Sequence, residues 1–186
     1  MFARIIEEDY IMGLAAFIQL HEKDIIEEWE TFAQTCKPAA DDMDPPALRN
    51  HIRKLLQFII DDLRTPQTEE ERSKKAKGMG PKAEDDSVAG THGEIRLTDG
   101  FDLVQVHSEF RALRASVLKL WSNEWTKSNK DWVTPAEIIP DIMRFNEAID
   151  QLVSESLCSY INKSDDPRPS PSTYAAQTHS KSKSHH

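Results

Sequence analysis

Four ionisable residues in the middle of the chain have types and spacings suited to acid–base chemistry or to ligand binding. His92 and Arg96 are four residues apart, so they share one face of a helix. Glu109 and Arg114 follow in a second helical segment, beside its apolar residues. Such a set could supply the acid–base groups of a small enzyme, line a semi-buried pocket, or form internal ion pairs.

The helical angles place Glu109 and Arg114 at the two edges of an apolar face. At about 100° per residue, the two side chains lie roughly 70° to either side of the common direction of the apolar residues. Those apolar residues are Leu103, Val106, Phe110, Leu113, Val117 and Leu120. Neither charge has an opposite charge three or four positions away. A half-buried charge without a partner costs on the order of several kcal/mol, so we expect partners from other helices or from a ligand.

The nearest candidate partners of Glu109 are His92 and Arg96. The break predicted at Asp99-Gly100 can fold their segment back onto the second helix. Two interpretations of the four residues stay open. They form either a polar clamp that holds residues 84–97 onto the fold, or a pocket that senses a small ligand or a partner.

Apolar spacing along the chain predicts an all-α fold, a single-domain helical bundle of four long helices plus one or two short ones. No alternating run is long enough for a strand. We predict long helices over about 10–36, 45–64, 102–125 and 135–163, and short ones after Thr68 and over 84–97. Helix starts are predicted from Asp44-Pro45 and from the pairs Thr68/Glu71, Asp102/Gln105 and Thr134/Glu137. We expect Pro140 to kink or restart the last helix.

Composition and motifs exclude several classes of protein. The net charge of -9 argues against nucleic-acid binding and against docking on an anionic membrane. The apolar run 10–20 follows three acidic residues and is too short to span a bilayer, so we expect a cytoplasmic protein. Cys36 and Cys158 are each expected as small buried side chains. The sequence has no phosphate-binding loop, catalytic elbow or zinc spacing, and we predict no enzyme activity, no metal site and no cofactor.

Two regions are predicted from the change in composition near residue 164. Residues 1–163 carry the helical pattern and form the folded domain. Residues 164–186 are dominated by Ser, Pro, Lys and His and are expected to be disordered. The closing HSKSKSHH could bind metal weakly or be a mere chain end.

The stretch 92–121 carries a specific pattern, written HG-x-x-R, GFDL-x-Q and E-[FY]-R-A-L-R-A-S-V-L-x-L-W. This pattern resembles the N-terminal domain of the RsbRD-type stressosome co-antagonists, and the input module found ahead of many bacterial histidine kinases. The matching residues are His92-Gly93, Arg96, Gly100 to Leu103, Gln105, Glu109 to Arg114 and Leu118 to Trp121. The predicted order of helices agrees with that of the family over about 14–163, but only residues 92–121 carry a pattern specific to the family.

The resemblance implies a non-catalytic sensory domain that forms a homodimer and signals to an output domain or protein partner through its last helix. For that helix we predict signalling or dimer contacts through Ile142, Phe145, Ile149 and Leu152. No phospho-acceptor histidine box or ATP-binding domain follows residue 163. The resemblance therefore implies either an excised kinase input domain or a stand-alone relative.

Two other functions stay open at this point. A globin-like helical sensor holding haem would need one histidine in an apolar pocket, with His21, His51, His92 and His107 as candidates. A small enzyme would have to use Glu109 and its histidine neighbours.

Overall fold

The computed structural model describes residues 13–42, 45–80, 87–127 and 135–165. Within these ranges the protein is all helical and has no strand, which confirms the predicted all-α class. The helices are α1 (Leu14–Leu20), α2 (Glu22–Ala33), α3 (Pro45–Arg64), α4 (Glu69–Lys75), α5 (Val88–Thr98), α6 (Leu103–Lys127) and α7 (Pro135–Ser164), with a 3-10 turn at Ala39–Asp42.

Some predictions fall outside the described residues. These are the N-cap at Asp44, the capping box of Thr134 with Glu137, and the tail from residue 166. No helix within the described ranges combines the length and the apolar character that a bilayer span requires.

The prediction of one helix over about 10–36 is wrong within the described residues, because the helix breaks at His21. That residue has φ −106° and ψ 21°, and it ends α1 and begins α2. Its imidazole stacks on the Phe17 ring at 4.4 Å and lies 3.4 Å from Asp24, half-exposed rather than in the core. Apolar spacing is nearly unchanged across such a bend, so periodicity alone cannot reveal it.

Capping chemistry sets the starts of α4 and α6 as predicted. Thr68 and Glu71 form a capping box at the start of α4. The Gln105 backbone amide donates to the Asp102 carboxylate at 2.7 Å, and the Asp102 amide donates to the Gln105 side chain at 3.0 Å. The last helix does not restart at Pro140, since α7 is one helix through that residue.

The core is formed by apolar side chains from all the helices except α4, together with Phe101 and Cys36. Its largest fully buried side chains are Trp29, Phe17, Phe101, Phe110 and Phe145. Cys36 is buried as predicted, but Cys158 is exposed on α7, because it points away from the core face of that helix.

The predicted contact set on α7 needs correction. Phe145, Ile149 and Leu152 are each 0% exposed, because they fill the core of their own chain, and Ile142 is half-buried. These three side chains therefore cannot contact a second copy. The large apolar side chains that α7 exposes are Ile139, Met143 and Ile161.

Helix α5 lies closer to α7 than side chains normally allow. A Cβ atom on Gly93 would stand 2.0 Å from the backbone oxygen of Ser156, and one on Gly90 would stand 2.8 Å from the Ser159 hydroxyl. Both glycines are buried. We call this contact the glycine seam: Gly90 and Gly93 of α5 against Ser156 and Ser159 of α7.

Arg144 of α7 binds the carboxyl end of α3. Its guanidinium donates to the backbone oxygens of Leu63 and Thr65, each at 2.8 Å, and to that of Asp62. The last carbonyls of a helix have no partners within the helix itself. Arg144 thus supplies, from a distant part of the chain, the cap that α3 lacks.

We expect Arg144→Met to lower the free energy of unfolding by about 2 kcal/mol, because charge-assisted hydrogen bonds to these carbonyls are lost. Urea unfolding of the full chain measures this loss of free energy. Arg53→Met is the matched control: its partner Glu22 is half-exposed, so we expect a loss of less than about 1 kcal/mol. Equal losses in the two variants would contradict a capping role for Arg144.

Candidate functional site

Glu109 is a buried carboxylate on the inner face of α6. Its side chain is 1% exposed. The Nε atom of Arg96 donates to both carboxylate oxygens, at 3.0 and 2.8 Å, and Arg96 itself is 3% exposed. The contact expected between α5 and α6 is therefore present, and it is a buried ion pair rather than one at the edge of the core.

His92 lies on the other side of the same carboxylate. Its Nε2 atom is 3.2 Å from Glu109 Oε2, although outside good hydrogen-bond geometry. The His92 ring stacks on His51 of α3, with 4.9 Å between centroids and 15° between planes. The edge of Phe110 closes a further side at 5.1 Å. We call His51, His92, Arg96 and Glu109 the polar cluster; it joins α3, α5 and α6.

The turn between α5 and α6 brings the cluster together. Gly100 adopts φ +84°, which L side chains rarely adopt, so the chain can reverse there. Phe101 then donates its amide to the Arg96 carbonyl at 2.9 Å, and its ring lies 4.8 Å from the Arg96 guanidinium carbon. Tyr160 of α7 donates to the Phe101 carbonyl at 2.7 Å. The turn is therefore fixed to α7 as well.

The charges of the cluster follow from burial and from its neighbours. Burial alone raises the pKa of Glu109, but the adjacent His92 and Arg96 outweigh burial and leave that pKa below its usual value. Burial, followed by the neighbouring His92 and Arg96, lowers the pKa of His51 to about 3. At neutral pH the cluster therefore contains an ionised Glu109 and an uncharged His51.

Several polar atoms of the cluster are buried without a hydrogen-bond partner among the described residues. They are His51 Nε2, both ring nitrogens of His92, and one terminal nitrogen of Arg96. An unpaired buried polar atom costs roughly 1–3 kcal/mol. The polar cluster is therefore held together by its ion pair and by the packing around it, not by a complete hydrogen-bond network.

The structure brings together three of the four predicted site residues. Arg114 is the exception, because it pairs with Asp150 of α7 at a partly exposed position. The cluster also includes His51, which the sequence indicates only as one of four candidate haem ligands. No group of three His, Cys, Asp or Glu side chains suited to a metal occurs in the described part of the chain.

The haem-sensor and enzyme alternatives depend on four histidines and on Glu109, and the structure describes the surroundings of each. Of the four histidines considered for haem, His51 and His92 stack on each other and His107 is exposed. His21 is half-exposed at the α1–α2 break. Glu109, the candidate acid–base group, has only 1% of its surface open to solvent.

Comparisons of the sequence with protein-family models, with curated proteins and with solved structures gave no match.

Proposed function

We propose that this chain is a single-domain helical bundle that serves as a cytoplasmic, non-catalytic input module of a bacterial signal-transduction system, either histidine-kinase-associated or stressosome-like. It forms a homodimer and passes its signal through α7, by dimer rearrangement or by contact with an output partner. The proposal combines the sequence resemblance at 92–121 with the placement of those residues in the fold.

One observation carries the proposal: the residues of the 92–121 pattern form a single structural unit. His92, Arg96 and Glu109 make the centre of the polar cluster. Gly93 lies directly against the Ser156 backbone of α7. Gly100 and Phe101 form the turn between the two helices. The pattern thus describes a buried charged centre together with its attachment to the last helix.

This arrangement supports a mechanism of coupling. Helix α5 carries His92 and Arg96 on its cluster side and Gly93 in the glycine seam. At Gly93 the backbones of α5 and α7 are in direct contact, so no flexible side chain lies between them there to absorb a shift. A change in charge or packing at the cluster that moves α5 must therefore also move α7.

The exposed face of α7 supplies a surface for a second copy. Ile139 and Met143 are four residues apart, so they lie on one helix face, and they are 50% and 48% exposed. Leu20, at the end of α1, is exposed to a similar degree at 67%. It serves as a matched control for changes on α7.

We expect the full chain to sediment as a dimer at tens of micromolar. Met143→Glu should raise the dissociation constant at least about tenfold, because a charge would enter an apolar contact. Leu20→Glu should leave the dissociation constant unchanged. Sedimentation velocity over a concentration series measures all three proteins. A monomer at every concentration would contradict the proposal, and an equal effect of Leu20→Glu would contradict an interface on α7.

A further inference from the structure

The geometry points to an acid-operated latch where α3 meets α5: uptake of a proton by His51 breaks its stack on His92 and releases α3 from α5. The inference deepens the proposed function, on which it rests for any effect at α7, by naming acidification as the signal. The opening of the latch itself depends only on the groups around the two rings.

The closed latch offers a second positive charge no free acidic partner, and the His51 ring itself is only partly exposed. His51 faces His92 and Arg96 from α5 and Glu109 from α6, with Lys54 on its own helix. Glu109 is the only acid among them, and both of its oxygens already accept from Arg96. The Nε2 atom of His51 is buried without a partner. A proton on His51 would thus place an unpaired charge beside an arginine and against another imidazole.

The direction of the pH effect follows from the two states of His51. In the closed state its pKa is about 3. Once the ring is exposed to water, we expect its ordinary value of about 6.5. Between these values the open state binds one more proton than the closed state, so the closed state loses stability as the pH falls from about 6.5 toward 3. At pH 5 the ratio of open to closed molecules should be about 30-fold higher than at pH 7.5.

The latch can open without unfolding the rest of the molecule. Helix α3 meets α5 over a short stretch, whereas the contact of α5 with α7 is far more extensive and includes the glycine seam. Breaking the ring stack therefore separates the His51 end of α3 from α5, while α5 stays packed on α7 and Arg144 keeps the carboxyl end of α3 on α7.

Glu109 responds to acid in a different range of pH. Its pKa is depressed in the folded protein, so its stabilising contribution is complete above about 4.5 and is lost only as the pH falls further. Measurements at pH 5 and above therefore separate the latch from the loss of the Glu109 charge.

Hydrogen exchange of the full chain at pH 7.5, 6.5 and 5.0 tests the latch, with exchange times scaled for the intrinsic effect of pH. In the wild type we expect scaled exchange to be about 30-fold faster at pH 5.0 than at pH 7.5 for amides of α3 and α5 near His51 and His92, because the open fraction rises by that factor. His51→Phe keeps a flat ring without a proton site and should lose this response. His107→Gln removes an exposed histidine and should keep it.

His51→Gln repeats the test with a smaller, polar side chain, should the phenylalanine variant fold poorly. No acid response in the wild type, or a full response in either folded His51 variant, would overturn the latch.

The same samples distinguish failure of the latch from failure of the proposed function. If α3 and α5 open with acid but the dimer and α7 stay unchanged, the latch stands and the proposed signalling through α7 fails. If Glu109 variants change α7 but acid does not open the contact, the proposed function stands and the latch fails.

Discussion

Glu109→Ala should lower the free energy of unfolding by about 3–5 kcal/mol, one of the two largest effects we expect from a single substitution. The substitution leaves the Arg96 guanidinium buried at 3% exposure, with only the partly exposed Asp99 carboxylate, 3.3 Å from its Nη1 atom, as an acidic partner. It also removes the acid beside His92. Urea unfolding monitored by tryptophan fluorescence would report the loss, since Trp29 donates to the backbone oxygen of Glu109.

Two variants serve as controls for this result. Arg111→Ala changes an exposed charge two residues further along α6, and we expect less than about 0.5 kcal/mol. Glu109→Gln keeps the shape and one acceptor, so its loss should fall between the other two. If Glu109→Ala costs no more than Arg111→Ala, the buried ion pair does not hold α5 to α6.

Gly93→Ala should cause the other large loss of stability, because the added methyl group meets backbone rather than side chain. Its Cβ would lie 2.0 Å from the Ser156 oxygen and 2.9 Å from the Ser156 carbonyl carbon. Alanine is favoured over glycine within a helix by about 1 kcal/mol, but separating α5 from α7 should cost at least about 3 kcal/mol. We therefore expect a net loss of about 2 kcal/mol or more in urea unfolding.

Gly90→Ala and Gly80→Ala provide a graded comparison. At Gly90 the nearest atom is the rotatable hydroxyl of Ser159, so we expect a change within about 1 kcal/mol. At Gly80 the nearest atom lies at an ordinary 3.6 Å, and we expect almost no change. Similar losses at Gly93 and Gly90 would show that the seam tolerates separation, which would contradict rigid coupling of α5 to α7.

The sequence predicted the contact of Glu109 with Arg96 because the information is local. The helical angles place the carboxylate beside an apolar face, and no opposite charge lies within one turn. A buried charge must find a partner, and the turn after α5 limits the choice. His51 was not predicted as a member of the cluster, because nothing local relates α3 to a ring more than 40 residues away.

Sequence patterns could not predict several other features, because those features depend on how the helices pack against each other. Arg114 has many acidic residues available across the fold, and its choice of Asp150 depends on how α7 lies against α6. An apolar stripe on a helix has the same spacing whether it packs in the core of one chain or against a second chain. The spacing on α7 therefore predicts Phe145 at an interface, whereas the structure has it in the core. Gly93 marks a close approach that only the packed helices reveal.

The distance between the two copies of α7 in the proposed dimer tests the central claim most directly. Cys158 is exposed on α7 and Cys36 is buried, so a spin label on the native chain reports on α7 alone. We predict that double electron–electron resonance gives a defined distance in the wild type, which shifts by about 2 Å or more in Glu109→Gln and stays unchanged in Arg111→Ala. The absence of a dipolar signal in the wild type, or the same distance in wild type and Glu109→Gln, would contradict signalling from the polar cluster through α7.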